Sequence, residues 1–169
     1  MILVNKDKIL YFKKKKYRCS VGLNGFTKNK IEGDKKTPIG KYSFGKLFVR
    51  TDKIKNLNTK FKYIPIRKDM AWSDDPNKSN YNNLIKTKNK HKESLYRDDN
   101  LYDLILVINY NMNPVLPNKG SAIFLHISSD DYKPTEGCIA IAVNDFIEIL
   151  KTLKPDLSLI HISEPTRPY

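Results

Sequence analysis

Cys138 and His126 are the side chains best suited to covalent chemistry in this sequence, with eleven residues between them. A free thiol of pKa ~8.5 is only a few per cent thiolate at neutral pH, so a nucleophilic cysteine needs a base. An imidazole can take the thiol proton and later return it to a leaving amine. Gly137 lets the backbone come close to a substrate, and the Cys138 N–H can stabilise an oxyanion.

Two strands must position this pair. His126 stands near the end of an apolar run over residues 122–127, and Cys138 opens another over 138–142. The connection is polar and turn-forming, with Asp130, Asp131, Pro134 and Gly137. If the strands are neighbours, the end of one meets the start of the next at one rim, ~4.8 Å apart. Alternation puts Cys138 on a face with Ala140 and Ala142, while Ile139, Ile141 and Val143 point away. On spacing alone, however, a small core cysteine and a satisfied buried histidine explain the pair better. Cys19, flanked by Arg18 and Ser20, reads as structural.

The remaining chain predicts a mainly β domain. Residues 2–5, 9–12, 17–22, 42–49 and 63–66 are rich in β-branched and aromatic side chains and are separated by polar turns. Residues 33–40, with Pro38, form a turn-rich connection, and Lys13 to Lys16 read as a charged turn. Residues 72–100 are a long polar excursion, a length that usually marks a functional or disordered segment. Its His91, Glu93, Arg97, Asp98 and Asp99 could line a pocket but read more readily as a solvated surface. Residues 101–110 contain a near-continuous apolar run expected to be buried on both faces. Asn144 offers an N-cap for a helix to about residue 154, with Phe146, Ile149, Leu150 and Leu153 on one stripe. Many strands followed by one helix predict a mainly β domain with little helix.

Composition narrows the function classes. The 169 residues suit one domain, and 40% hydrophobic content with ten Tyr and seven Phe is globular. The net charge of +13 resembles that of a nucleic-acid binder. Its lysines are scattered among Asn, Ile and Tyr, so nucleic-acid binding is not expected, whereas attraction to an anionic wall polymer is compatible. Two cysteines cannot build a disulfide framework, and no Cys/His spacing suggests zinc, so no metal or cofactor is expected. The N-terminus lacks the apolar run of a secretory signal, and no run approaches the ~18 residues of a transmembrane span. Residues 157–169 resemble a translated sequencing adapter and are set apart from a domain over 1–156 as a non-native tail. Residues 157–162 alternate like a strand that could take the place of a lost native one.

The flanking residues carry a family resemblance. Gly120-Ser121-Ala122-Ile123-Phe124-Leu125-His126, followed by Pro134-Thr135-Glu136-Gly137-Cys138, resembles the L,D-transpeptidase catalytic (YkuD-like) domain. That family pairs a histidine with Ser/Thr-His-Gly-Cys, and the likeness is strongest to a short branch with Glu-Gly before the cysteine. Glu32-Gly33-Asp34, Thr37-Pro38-Ile39-Gly40, Trp72 with Asp74-Asp75-Pro76, Tyr81-Asn82 and Arg97-Asp98-Asp99 extend it over residues 17–155. The resemblance implies a β-sandwich with one or two short helices and a ping-pong reaction on peptidoglycan stem peptides. Cys138 would be the nucleophile and His126 the general acid/base, its ring oriented by a backbone carbonyl just after it. D-Alanine would leave and a 3→3 cross-link form; Gly137, Glu136 and Thr135 would serve the substrate or oxyanion. Glu136 stands where the family has histidine, and Ala140 and Ala142 stand where it has Asn or Arg. A periplasmic or envelope location is implied despite the absence of a visible signal peptide. An L,D-carboxypeptidase, or a basic non-catalytic wall-binding module, are the alternatives.

Overall fold

The computed structural model describes residues 1–163. The strands are β1 (Ile2–Val4), β2 (Ile9–Phe12), β3 (Lys15–Ser20), β4 (Phe26–Thr27), β5 (Thr37–Pro38), β6 (Gly40–Val49), β7 (Tyr63–Pro65), β8 (Met70–Trp72), β9 (Leu84–Lys86), β10 (Leu104–Ile108), β11 (Phe124–Ile127), β12 (Ile139–Ile141) and β13 (Leu159–Ile162). The helix α1 spans Val143–Leu150.

The main sheet runs β10-β11-β12-β3-β2-β1-β13-β6-β7, and a further β6–β10 pairing closes it on itself. The mainly β class expected from sequence is thus realised as a sheet wrapped around one core. Lys13 and Lys14 make the β2–β3 turn with φ of 48° and 64°, the left-handed geometry of tight hairpins. Lys15 and Lys16 belong to β3, so the charged turn is shorter than expected.

β13 fills the gap between β1 and β6, parallel to the first and antiparallel to the second. Residues 157–163, set apart above as a tail, therefore have a structured place, and Ile160 and Ile162 are buried in the core. The remainder of that tail, 164–169, lies outside the described residues.

Alternation divides the apolar side chains between two cores. Leu104, Leu106, Ile108, Ile123, Leu125, Ile127, Ile139 and Ile141 point inward, where α1 contributes Phe146, Ile149 and Leu150. The opposite face presents Ile105, Val107, Phe124 and Cys138 to a second core with Phe48, Met70, Trp72, Leu95 and Tyr102. The 72–100 excursion therefore packs over β10 and β11, with Trp72 edge-on to Phe124 at 5.1 Å. This is why β10 is apolar on both faces. The excursion also carries β9 and residue contacts that order it: Leu95 N–H donates to Met70 O, and Trp72 N–H to Glu93 O.

Asn144 does not cap α1. Ala142, in an extended conformation, is the N-cap, and no side chain bonds to the first turn. The extended β12 backbone runs one residue short of the helix, leaving Asn144 inside it. The helix ends at Leu150, short of 154, though Leu153 remains fully buried.

Candidate active site

β11 and β12 are hydrogen-bonded neighbours, as the alternation required, but they are parallel: Leu125 pairs with Ile139, His126 with Ala140 and Ile127 with Ile141. The expected meeting of one strand's end with the next strand's start is therefore corrected. A parallel pair starts both strands at the same rim, so Cys138 lies across from Phe124, whose N–H donates to Sγ at 3.4 Å. His126 stands two residues further along on the same face. Diagonal neighbours of this kind are ~7–8 Å apart at Cα, within reach of long side chains.

Each side chain is held by its surroundings. His126 Nδ1 is 2.8 Å from the Ile127 carbonyl, the carbonyl just after it, so Nδ1 carries the proton and Nε2 is the basic nitrogen. Tyr102 stacks edge-on to the ring at 5.2 Å. Burial lowers the imidazole pKa to about 4, with the Ile127 carbonyl acting against the shift. Cys138 Sγ donates to the Ala122 carbonyl at 3.1 Å. Burial pushes its pKa up to about 12, Glu93 adds to the rise, and the Phe124 N–H and Lys30 oppose it. At rest, then, both partners are neutral. Cys19 is buried in β3, and burial raises its thiol likewise to about 12.

The turn before Cys138 is fixed by two threonine hydroxyls. Thr135 Oγ1 accepts from the Gly137 N–H at 3.1 Å and donates to the Cys138 carbonyl at 2.6 Å. Thr37 Oγ1 accepts from the Gly22 N–H and donates to the Gly137 carbonyl, each at 2.9 Å. Gly137 has φ +140°, and a Cβ there would lie 2.9 Å from the Lys36 carbonyl oxygen. Glycine is required on both counts.

A cavity of about 520 Å³ opens beside Cys138 and His126. Carboxylates of Glu32, Asp74, Glu93 and Glu136 share its wall with Lys35, Lys92, Arg97 and Lys133. Glu136, Thr135 and Ala140 also border the cavity. The solvated-surface reading fails for Glu93 and Arg97. Glu93 accepts a hydrogen bond from the Tyr102 hydroxyl, and burial raises its pKa to about 7 despite that bond. Arg97 is paired with Asp99 at 2.6 Å and lies over the Tyr102 ring. Asp98 and Asp99 are exposed, and His91 lines a separate shallow hollow with Lys68 and Lys90.

Sequence reasoning missed Lys30, Thr37 and Asn82 as supports of the site. Asn82 Oδ1 accepts from the Trp72 indole N–H and the Ala122 N–H, fixing the backbone whose carbonyl accepts the thiol hydrogen bond. Its partners lie between ten and forty residues away in sequence.

Comparison with known proteins identifies the family. A family model described as the L,D-transpeptidase catalytic domain matches residues 1–162. The chain belongs to the L,D-transpeptidase catalytic domain family. The match includes β13, which closes the sheet. No curated protein sequence matches. Among solved structures, the helical cell shape determining protein Pgp2 from Campylobacter jejuni is similar at 17% identity and a TM-score of 0.45, covering 98% of this chain and 48% of that one. An L,D-transpeptidase from Mycobacterium smegmatis is similar at 10% identity and 0.41, covering 96% and 57%. The chain therefore spans about half the length of the structures it matches. Among the described residues, no group of His, Cys, Asp or Glu could hold a metal ion, and no helix is long and apolar enough to cross a membrane.

Proposed function

We propose that the chain is a cysteine-dependent L,D-transpeptidase acting on peptidoglycan stem peptides. The observation that carries this is the placement of Cys138 and His126 on one face of adjacent parallel strands, opening into a cavity walled by both signs of charge. A stem peptide carries carboxylates and an ammonium, so such a wall can pair with both ends of it.

A neutral thiol beside a neutral imidazole makes proton transfer part of the attack. His126 Nε2 takes the Sγ proton as sulfur bonds to the carbonyl carbon of the third stem residue. The Gly137 N–H is occupied by Thr135, which leaves the Cys138 N–H to stabilise the oxyanion. As the tetrahedral carbon collapses, the C–N bond to D-alanine breaks and the imidazolium returns its proton to the leaving amine. The thioester then meets the side-chain amine of a second stem, which loses a proton to Nε2, and the new amide releases Sγ. The family's work on peptidoglycan favours a location in the cell envelope.

Incubation with disaccharide-tetrapeptide, followed by mass spectrometry, tests this. A cross-linked dimer with one D-alanine released is expected. D-Alanine release without a dimer would make the enzyme an L,D-carboxypeptidase. Binding without any product or adduct, surviving Cys138→Ala, would leave only a wall-binding module.

A further inference from the structure

We propose that Lys30 is a positioning residue for the nucleophile, its buried side chain packing against the two segments that meet at Cys138 and placing a fixed positive charge behind the thiol. The inference rests on Cys138 acting as the nucleophile.

The Lys30 side chain is 4% exposed, which is rare for lysine. Its Nζ donates to Asp34 Oδ1 at 2.7 Å and to the Lys36 carbonyl at 2.8 Å. Asp34 in turn accepts from the N–H groups of Ile31 and Lys36, so the 30–37 loop is organised around this one ion pair. Two glycines close onto the same side chain. A Cβ on Gly120 would lie 2.9 Å from Lys30 Cε, and one on Gly137 would lie 3.3 Å from Lys30 Nζ.

Those glycines lead into the two halves of the site. Gly120 opens the segment ending at Ala122, whose carbonyl accepts the thiol hydrogen bond, and Gly137 precedes the thiol itself. The loop that Lys30 anchors then delivers Thr37 to the Gly137 carbonyl and Glu32 to the cavity wall. A lysine bearing only on stability could have been replaced by an apolar side chain, since buried ion pairs contribute little net stability. Its place beside the Gly137 peptide gives the charge a use: it opposes Glu93 and Glu136, which disfavour the thiolate. The ionisable groups around Sγ are Lys30 from this loop, Glu93 from the covering excursion, Tyr102 from the turn before β10, His126 from β11 and Glu136 from the β11–β12 connection.

The test is the rate of Cys138 alkylation by neutral iodoacetamide from pH 6 to 10, in a Cys19→Ala background. Lys30→Met keeps the stem and removes the charge. A three- to tenfold slower reaction at each pH is expected, with Lys30→Arg restoring most of it. Lys30→Met/Asp34→Asn, which leaves no unpaired buried carboxylate, is expected to show the same deficit should the single variant not fold. Wild-type rates in either folded variant overturn the proposal, as does loss of the folded state in both, which would confine Lys30 to the scaffold. Iodoacetamide needs no peptide substrate, so this result and the cross-linking result can fail separately.

Discussion

Cys138 Sγ lies 3.1 Å from the Ala122 carbonyl oxygen and donates a hydrogen bond there. Ala122 has φ of 54°, a left-handed conformation that non-glycine residues seldom adopt. Asn82 holds it by accepting the Ala122 N–H at 3.1 Å, while its own amide is tied to the Tyr110 and Asn111 carbonyls. The resting thiol is thus held on the backbone.

Cys138→Ala removes the proposed nucleophile together with the sulfur's hydrogen bonds to the Phe124 N–H and the Ala122 carbonyl. Product formation should fall by about 10³-fold or more, with a modest drop in melting temperature because the sulfur hydrogen bonds that are lost are weak. Cys19→Ala should leave turnover intact. Intact-mass spectra after exposure to a carbapenem should show an adduct in Cys19→Ala and none in Cys138→Ala.

Glu93→Gln should make Cys138 more reactive only on the alkaline side. Glu93 titrates at about 7, so below that pH it is already neutral and the substitution changes little. Above it the carboxylate opposes the Cys138 thiolate, and glutamine removes that charge. The ratio of variant to wild-type alkylation rates should rise from near one at pH 6 to about threefold or more at pH 9. A ratio that is flat with pH would contradict this.

His126 should make the fold acid-sensitive. Its folded pKa of about 4 lies below the unfolded 6.5, so the unfolded state binds more protons between those values. The stability it contributes is present above pH 6.5 and is lost as pH falls toward 4, up to about 3 kcal/mol. Glu93 acts in the opposite sense: its raised pKa gives stability present below about 4.5 and lost as pH rises through 7. Urea denaturation at pH 7 and pH 4 isolates the His126 part when wild type is compared with His126→Asn, whose loss on acidification should be smaller.

Thr37→Val keeps the shape of a fully buried side chain but deletes its hydroxyl. The Gly22 N–H and the Gly137 carbonyl would each lose their partner, at a cost of about 2–4 kcal/mol. Because Gly137 adjoins the nucleophile, the acylation rate should fall as well. Thr37→Ser, which retains the hydroxyl, should recover most of both in calorimetry and adduct kinetics.

Ile162→Ala tests whether β13 is integral. The side chain is fully buried between β1 and β6, so its truncation should cost about 2–5 kcal/mol. Chain ending at residue 156 should lose far more, because β1 and β6 would both be left with open edges. An unchanged urea midpoint in either variant would place these residues outside the folded unit.

The sequence alone determined the β class, most strand positions, and Cys138 and His126 as the candidate pair, because side-chain alternation and the residues flanking the cysteine are local signals. It also marked β10 as buried on both faces. Three matters were decided only by tertiary structure. The parallel sense of β11 and β12 depends on how residues 128–137 cross back, which no local pattern encodes. The move of Glu93 and Arg97 from surface to cavity wall depends on the second core, where Trp72, Leu95 and Tyr102 pull the polar excursion onto Phe124. The roles of Thr37 and Asn82 depend on hydrogen bonds across tens of residues, and that of Lys30 on its packing beside Gly120 and Gly137. Burial made such polar groups find partners wherever the fold supplied them, and sequence spacing carries no record of that distance.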